Sequence, residues 1–399
     1  MGLLHSITLL LGLKGWRIRR LVLEERALAV EFRDTAGRPV CPRCGSRRLY
    51  RHGRARRRRV LHTWVRRIKV FLILDRHRWR CRQCGYCFTP GNELVRPHAR
   101  LTRQAEQEAL WCTRGKSFSQ AGSELGLSYS RLRRIQERRA ADHIAGLLLE
   151  EGDIHLGIDE HSFRHQDMVY TVTDVKGKRM IGILENDRIA TLRAFLREVP
   201  QERVKEVCID MKASLMKLVH EVFPLARLVL DPFHVIADAN RRVDEARRIE
   251  QEVRQKKESI PKWPLLKDSE KLTFRQREKR DRILARYPAL SDFYWAKEKL
   301  REMYRLETGE QAARLLDLII FNLRAADDGE LIRWSNTLKR WKEPILGHFI
   351  SRTTNAYTEG CHTKIKMLKR TSYGLRNVEV YRRKMLLAFT PPPASFHTL

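Results

Sequence analysis

Three short stretches of the sequence lead into acidic residues that could bind divalent cations. In LGIDEHSF an apolar stretch runs directly to Asp159 and Glu160, in VKEVCIDM to Asp210, and in LVLDPFHV to Asp231. A buried strand should not finish in negative charge without a partner, and two close carboxylates raise each other's pKa. Two Mg2+ (or Mn2+) ions held by Asp159 and Asp210 would remove that conflict and could support an in-line phosphoryl displacement.

Other acidic residues in the same region are weaker candidates. Asp231 forms a D-x-x-H unit with His234, which could support the metal ligands, contact a substrate, or cap the following helix. Glu160 would point to the opposite face of the sheet from its neighbour if the strand continues. Asp174 and Asp187 are expected near hairpin or loop ends, in solvent. We therefore treat Asp231 and His234 as supporting residues.

A third metal ligand is expected late in the chain. The stretch SRTTNAYTEGCHTKIKMLKRTSYGLRN (351–377) has helical character and contains Glu359. Counted along a helix, Asn355, Lys366 and Arg370 share one face with this glutamate. A metal-binding carboxylate with cations two and three turns away would hold a phosphate backbone beside the reactive centre. The alternative is an ordinary surface glutamate.

The cysteines predict a structural zinc site in the N-terminal quarter. Two C-x2-C pairs, each followed by glycine, are separated by 36 residues. Such turns direct both thiolates at one ion, and two of them complete a tetrahedral shell. The predicted ligands are Cys41, Cys44, Cys81 and Cys84. Two alternatives remain: free buried cysteines, or a site in which Cys87 replaces Cys81 or Cys84.

The charge of the chain favours a polyanionic partner. The formal net charge is +32, and residues 1–100 hold 25 Lys and Arg against 6 Asp and Glu. Such a surplus is typical of proteins that bind nucleic acid. The densest run is RARRRRV, which contains Arg56, Arg57, Arg58 and Arg59. No stretch reaches the length of a membrane span, and the cysteine usage indicates a reducing compartment, so we expect a cytoplasmic protein.

Residues 101–142 are predicted to be helical and to include a helix-turn-helix. Its first helix would begin at Ser117, turn at Gly126, and continue into a second helix capped by Ser128. The second helix carries cations that could enter a major groove, namely Arg131, Arg133, Arg134 and Arg138. The alternative is an ordinary pair of basic helices.

The remaining pattern predicts an α/β core followed by helices. Residues 153–236 contain three strands as a meander, a helix, a strand, a helix and a strand, an order that matches the ribonuclease-H-like fold. In that fold the first and fourth strands are neighbours, so their terminal carboxylates would converge. Residues 238–350 have the periodicity of charged amphipathic helices.

These patterns divide the chain into six segments. They are an N-terminal β and zinc-binding module (1–98), the helix-turn-helix (99–148), the first part of the catalytic core (149–238), an all-helical insertion (239–350), the final helices of the core (351–390) and an unstructured tail (391–399).

Taken together, the motifs resemble the ISL-three family of bacterial insertion-sequence transposases. The resemblance rests on CPRCG…CRQCG, the helix-turn-helix, GIDEHSF, VCIDMKASL, LVLDPFHV and TTNAYTEGCHTKIKMLKRTSYGLRN. It implies a D-D-E catalytic centre on Asp159, Asp210 and Glu359, with two Mg2+ ions. It also implies cleavage of double-stranded DNA at transposon ends, joining to target DNA, and a homodimer or larger assembly. The sequence departs from the family at His362, where asparagine is frequent, which we expect to affect a helix contact and not the metal ligands.

Two other functions are compatible with the same motifs. One is a DNA-binding regulator derived from a transposase that has lost catalysis. The other is a structure-selective nuclease of the same fold, which cuts DNA without joining it. The presence of all three acidic residues favours an active transposase over the regulator.

Overall fold

The computed structural model describes residues 3–13, 16–33, 38–91, 94–147, 152–253 and 259–389. The chain forms two compact units. One comprises Met1–His143 and Leu368–Ala388, and the other Ile144–Met367 and Phe389–Leu399. The predicted tail (391–399) and the boundary predicted at 148/149 lie outside the described residues. No described helix is long and apolar enough to cross a membrane.

The first unit contains two small sheets. Its elements before residue 100 are α1 (Leu3–Leu10), β1 (Arg17–Glu24), β2 (Ala27–Arg33), β3 (Leu49–Arg54), β4 (Arg58–Val65), β5 (Ile68–Leu74), β6 (His77–Cys81) and β7 (Cys87–Phe88). One sheet has the order β1-β2-β5-β4 and the other β3-β6-β7. Alternating apolar residues of the larger sheet, such as Val30, Val70 and Leu72, fill a common core.

Three helices follow, and a fourth comes from the C-terminal end of the chain. They are α2 (Arg103–Cys112), α3 (Phe118–Leu125), α4 (Tyr129–Leu147) and α15 (Val378–Phe389). Ser117 caps α3 by accepting a hydrogen bond from the Gln120 N–H, and Gly126 ends it in the left-handed conformation. The Ser128 hydroxyl accepts from the Arg131 N–H at 3.3 Å. The structure therefore confirms the helix limits predicted from these residues.

A five-stranded mixed sheet lies in the second unit. Its strands and the helices between them are β8 (Ile154–Arg164), β9 (Asp167–Asp174), β10 (Arg179–Ile183), α5 (Ile189–Arg197), β11 (Val204–Ile209), α6 (Ala213–Val222) and β12 (Arg227–Leu230). The strand order is β10-β9-β8-β11-β12. This is the predicted succession of elements, and the first and fourth strands of the sheet are neighbours as expected.

One strand limit differs from the prediction. The first strand does not end at Asp159 but continues to Arg164. Its partner β9 pairs with it over this whole length, with Asp159 opposite Thr171. Its other neighbour, β11, pairs only as far as Gly157 opposite Cys208. Asp159 therefore lies where one edge of β8 becomes free, and not at the end of the strand.

Helices make up most of the rest of the second unit. They are α7 (Pro232–Val253), α8 (Trp263–Leu266), α9 (Phe274–Arg286), α10 (Ala289–Met303), α11 (Gly309–Ala325), α12 (Gly329–Arg340), α13 (Lys342–Ser351) and α14 (Ala356–Thr371). Buried apolar residues of α7 to α13, including Leu300 and Trp334, belong to the same cluster as Ile158 and Val207 of the sheet. The helices and the sheet therefore stabilise each other through one continuous core.

Candidate functional site

The structure brings Asp159 and Asp210 together at one edge of the sheet. Parallel pairing places Gly157 opposite Cys208, and each carboxylate follows two residues later on its own segment. One ligand atom from each of Asp159, Asp210 and His234 lies within 4.8 Å of the other two. The strand adjacency inferred from the sequence therefore produces the expected meeting of two carboxylates.

His234 lies in the first turn of α7 and faces Asp210. Its Nε2 is 2.8 Å from Oδ1 of Asp210. Burial lowers the pKa of His234, but the adjacent carboxylate of Asp210 outweighs this and the net pKa is raised. The pKa of Asp210 is raised mainly by burial, with a further contribution from the negative charge of Asp159. A cation at this position would offset both the burial of the Asp210 carboxylate and its repulsion by Asp159.

Asp159 contacts a second histidine. Its Oδ2 lies 3.3 Å from Nδ1 of His362, and its Oδ1 accepts a hydrogen bond from the Glu160 N–H at 2.7 Å. Burial raises the pKa of Asp159, but the bond to His362 reverses this and the net pKa is lowered. We expected His362 to affect a helix contact and not the metal ligands. The structure places His362 beside Asp159, one of the predicted ligands, because α14 packs on β8 and directs this side chain to it.

Asp231 is a buried helix cap that also fixes the start of α14. Its Oδ1 accepts from the Phe233 N–H at 2.8 Å, and its Oδ2 accepts from the Asn355 N–H at 2.7 Å. Of the three roles considered from the sequence, these bonds show the cap. They also join the beginning of α7 to the beginning of α14, and each of these helices carries a candidate site residue.

The N-terminus of α14 is held close against β8. The Asn355 amide donates to the Ile158 carbonyl at 3.4 Å, and the hydroxyl groups of Thr358 and Thr173 are 2.8 Å apart. A side chain at Gly157 would collide with this contact, since its Cβ would lie 2.5 Å from the Asn355 amide oxygen. Glycine at this strand position therefore permits the helix to approach the sheet.

Glu359 lies in the first turn of α14 and is exposed. Its pKa is raised by burial and then by the negative charges of Asp231, Asp159 and Asp210. Among the described residues, the group of mutually close ligand atoms is Asp159, Asp210 and His234, and Glu359 is outside it.

The face predicted for α14 holds only in part. Lys366 and Arg370 are exposed, whereas Asn355 precedes the helix and is fully buried. It was expected to share one helix face with these cations and Glu359, but its backbone and amide bonds to Asp231 and Ile158 turn it toward the sheet.

The remaining acidic residues of the sheet have partners elsewhere. Glu160 binds the Lys212 ammonium at 2.5 Å. Asp174 was expected in solvent, which is wrong: it is fully buried and accepts from Arg179 Nη2 at 2.8 Å and from the Gly177 N–H at 3.1 Å. It stabilises the β9–β10 turn, and such turn contacts could not be inferred from strand periodicity. Asp187 is exposed, as expected.

Four cysteines of the first unit form a compact cluster. The Sγ atoms of Cys41 and Cys84 are 3.6 Å apart, as are those of Cys44 and Cys81. All four lie within 4.8 Å of one another. Among the described residues Cys87 is not part of this group, so the alternative ligand set is not the one that the structure assembles.

Both cysteine pairs lie in the same kind of turn. Gly45 donates to the Cys41 carbonyl at 2.9 Å, and Gly85 donates to the Cys81 carbonyl at 3.1 Å. These glycines have φ values of +71° and +69°, which side chains rarely allow. Hydrogen bonding from the Cys84 backbone lowers the pKa of Cys81, despite burial. At Cys44 a hydrogen bond from the Ser46 backbone is outweighed by the neighbouring thiols of Cys84 and Cys81, which raise its pKa. A thiolate is the form that binds zinc.

The arginine run lines a cleft of about 890 Å³ in the first unit. The lining cations are Arg56, Arg57, Arg58, Arg59, Arg76, Arg96, Arg100 and Arg103, and His98 lies beside them. Some are already paired: Arg57 with Glu31 and Arg59 with Glu24. The described lining residues include no carboxylate. The concave shape and the excess of guanidinium groups suit a phosphate backbone.

The basic helix α4 presents only some of its predicted cations. Arg131 and Arg134 are exposed, and Arg133 pairs with Glu137 on the same helix at 3.0 Å. Arg138 binds the buried carboxylate of Glu106 on α2, at 3.0 Å. Arg138 therefore joins two helices of the first unit. The spacing of basic residues along α4 could not show which of them bind a carboxylate of the protein and which are free to bind DNA.

Sequence reasoning missed the residues that position α14. Gly157 in the middle of an apolar strand indicates that another part of the chain packs closely on it, which was a usable signal. The hydroxyl pair of Thr173 and Thr358 had no such signal, because the two residues are 185 positions apart. Only the packed structure brings them together.

Comparisons with known proteins agree on one family. A transposase family model of the ISL3 type (DDE_Tnp_ISL3) matches residues 156–385. The chain is 26% identical to the transposase for insertion sequence element IS1001 of Bordetella parapertussis, over 95% of this chain and 96% of that protein. It is 25% identical to the transposase for insertion sequence element IS1557 of Mycobacterium tuberculosis, over 84% of this chain and 82% of that protein.

Proposed function

Because this chain belongs to the ISL3 transposase family, we propose that it binds the terminal inverted repeats of an insertion sequence and catalyses metal-dependent cleavage and strand transfer of DNA. The convergence of Asp159 and Asp210, from β8 and the end of β11, carries this proposal. The strand order supports a ribonuclease-H-like core, and the capped pair α3–α4 supports a DNA-binding helix-turn-helix.

The donor atoms of the site fit Mg2+ or Mn2+. Oxygen ligands from carboxylates are those that these ions prefer. Oδ1 of Asp210 is buried and receives no well-oriented hydrogen bond within the described structure, so it is available to a cation. Asp159, Asp210 and Glu359 would hold two ions. When bound, such ions polarise a water or a 3′-hydroxyl and neutralise charge on the phosphate that is attacked.

The protein itself supplies the geometry for this chemistry. Asp231 ties the beginnings of α7 and α14 together through backbone N–H groups. His362 holds the carboxylate of Asp159 on one side. Because these groups are buried and hydrogen-bonded, the carboxylates need little reorganisation when DNA arrives. Lys366 and Arg370, exposed on α14, would contact the phosphate backbone of the DNA strand.

The first unit would supply most of the DNA affinity. Zn2+ bound by Cys41, Cys44, Cys81 and Cys84 would hold the β3-β6-β7 sheet together. Arg131, Arg133 and Arg134 would enter a major groove, and Arg56, Arg57, Arg58 and Arg59 would contact phosphates. Bringing two transposon ends together would require a homodimer or larger assembly on the DNA.

Neutralising the three proposed metal ligands tests this function. We expect Asp159→Asn, Asp210→Asn and Glu359→Gln each to lower cleavage by about a thousandfold or more, since each removes several kcal/mol of transition-state stabilisation. Binding to transposon ends should stay nearly unchanged. Exposed Asp187 offers a matched control, and Asp187→Asn should cleave normally.

A plasmid assay with the wild-type protein separates the possible activities. Joined products support a transposase, cutting without joining indicates a nuclease, and tight end binding with neither indicates a regulator. Near-normal cleavage by any of the three variants would reject that residue as a metal ligand.

A further inference from the structure

We propose that His234 is a direct ligand of one of the metal ions, so that Asp159, Asp210 and His234 form a three-residue binding set. Glu359, outside this set, would complete the site on the second ion. This inference rests on the proposed function, because it concerns the ions of the same catalytic centre. It changes the assigned ligands of the first ion from carboxylates alone to two carboxylates and an imidazole.

The geometry of the three side chains fits a single ion. Ligand atoms about 2.1 Å from one ion are separated from each other by roughly 3 to 4 Å in octahedral coordination. The carboxylate oxygens of Asp159 and Asp210 and a ring nitrogen of His234 already lie within 4.8 Å of one another. A small adjustment of rotamers would bring all three to one ion. No described carboxylate other than these two belongs to the set.

The contact between His234 and Asp210 is short but poorly oriented. Nε2 and Oδ1 are 2.8 Å apart, yet Oδ1 is buried without a well-oriented hydrogen bond. Neighbouring ligand atoms around one octahedral ion are separated by roughly 3 Å, so these two atoms are close to the spacing at which both can bind the same ion.

The imidazole ring is held in place before any ion binds. The backbone N–H of His234 donates to the Asp231 carbonyl at 3.1 Å, which fixes the backbone of this residue in the first turn of α7. The ring packs edge-on against Phe233, with centroids 5.4 Å apart. The helix start fixes the backbone and this contact restricts the ring, so less conformational entropy is lost on metal binding.

The other histidine of the site differs in this respect. His362 has its Nδ1 3.3 Å from Asp159, but it does not belong to the mutually close group of donor atoms. It is 7% exposed and packs on His161. We assign His362 as a positioning residue for Asp159 and His234 as a ligand. This ligand set has a chemical consequence, because imidazole nitrogen favours Mn2+ and other transition ions over Mg2+.

Pulsed electron paramagnetic resonance with Mn2+ tests the assignment directly. Zinc-replete full-length protein is loaded with Mn2+ alone, and coupling to directly bound ¹⁴N is measured. We expect the wild type to show one imidazole nitrogen on Mn2+. His234→Gln should lose this coupling and bind Mn2+ about tenfold or more weakly, and His234→Asp should keep Mn2+ without the coupling. Labelling histidine with ¹⁵N should change the coupling of the wild type.

Two histidines provide controls. His220→Gln, exposed on α6, and His362→Gln should both keep the nitrogen coupling. Persistence of the coupling in folded His234→Gln overturns the proposal. The wild type could also bind Mn2+ through Asp159 and Asp210 without any nitrogen coupling. That result would overturn the assignment of His234 as a ligand and would leave the proposed function intact. Absence of any carboxylate-dependent Mn2+ binding overturns this inference together with the proposed metal-dependent function.

Discussion

The cysteine cluster of the first unit and the carboxylate cluster of the second are assembled in different ways. Each cysteine pair is contained in one turn, where a hydrogen bond from the glycine N–H to the first cysteine's carbonyl and a positive φ at the glycine direct two thiols at one point. The carboxylate cluster takes one residue from the free edge of β8, one from the end of β11 and a histidine from α7. One site is built by local turns, and the other by strand order.

Their surroundings differ as well. Among the residues that the structure describes, the apolar group around the cysteine cluster has three buried members, Cys41, Leu49 and Cys81. The carboxylates border a core that includes the five-stranded sheet and most of the helices of the second unit. We infer that the first site depends on its metal for stability, whereas the second site is held by the fold and uses its metal for chemistry.

Removing one thiol of the cysteine cluster should produce the largest loss of metal binding and of DNA binding. Cys44→Ser leaves three ligands, and the small sheet has too little apolar area to fold without the roughly 10 kcal/mol that a structural zinc ion contributes. We expect loss of stoichiometric zinc and much weaker binding to transposon ends. Elemental analysis and gel-shift titration measure these two quantities.

Cys87→Ser is the matched control and should keep its zinc. Because the fold of the second unit holds the carboxylate cluster, we also expect Cys44→Ser to bind Mn2+ there as the wild type does. An unchanged zinc content in Cys44→Ser would show that the thiols do not bind the ion.

A side chain at Gly157 tests whether the close packing of α14 on β8 positions the carboxylate cluster. In Gly157→Ala the new Cβ would lie 2.5 to 2.7 Å from side-chain atoms of Asn355, Val175 and Thr358. Either β8 or α14 must shift, at a cost of about 1–3 kcal/mol. We expect a ten- to hundredfold loss of cleavage with end binding retained.

Gly329→Ala serves as the control, because its Cβ would meet no atom closer than 3.9 Å. It should cleave at the wild-type rate. Full cleavage by Gly157→Ala would show that the close contact of α14 with β8 does not position the site.

Neutralising the arginine-lined cleft should have an intermediate effect. Arg56, Arg100 and Arg103 are exposed in the cleft, and replacing all three with glutamine removes up to three phosphate contacts. The slope of log affinity against log salt should then fall by about two to three, since each phosphate contact contributes roughly 0.9. Fluorescence anisotropy on duplex DNA at several salt concentrations measures this slope.

The control for this variant loses the same number of charges outside the cleft. Arg19, Arg20 and Arg26 are exposed in the same unit and do not line the cleft. Their replacement with glutamine should change the slope much less. If both triple variants lower it equally, the effect belongs to net charge and not to the cleft.

The smallest expected effect is the pH dependence of stability that comes from one buried lysine. Lys384 is fully buried on α15 and donates to the Thr113 and Lys116 carbonyls. Burial lowers its pKa from 10.5 to about 8. Between these two values the unfolded chain binds a proton that the folded chain does not, so stability should rise with pH.

Urea unfolding at pH 7 and pH 9.5 tests this sign. The wild type should gain about 1–3 kcal/mol over Lys384→Met across this range, the two carbonyl contacts reducing the gain. Lys339→Met, at an exposed lysine, should follow the wild type. A wild type that loses stability relative to Lys384→Met as the pH rises would contradict the assigned pKa direction.

The amino-acid sequence by itself determined the features that depend on neighbours in the chain. The C-x2-C-G turns, the caps at Ser117 and Ser128, and the order of strands and helices in residues 153–236 all follow from local conformational preferences. The match of this order to the ribonuclease-H-like fold then implied that Asp159 and Asp210 would meet, because the first and fourth strands of that fold are neighbours.

Only the tertiary structure decided which side chains complete the carboxylate site. The contact of His362 with Asp159, the position of His234 beside Asp210 and the burial of Asn355 join residues that are 24 to about 200 positions apart. Periodicity shows which face of an element is apolar, but not which residue of another element packs on it. That choice depends on close packing of the whole core, in which a single Cβ at Gly157 would already be too large.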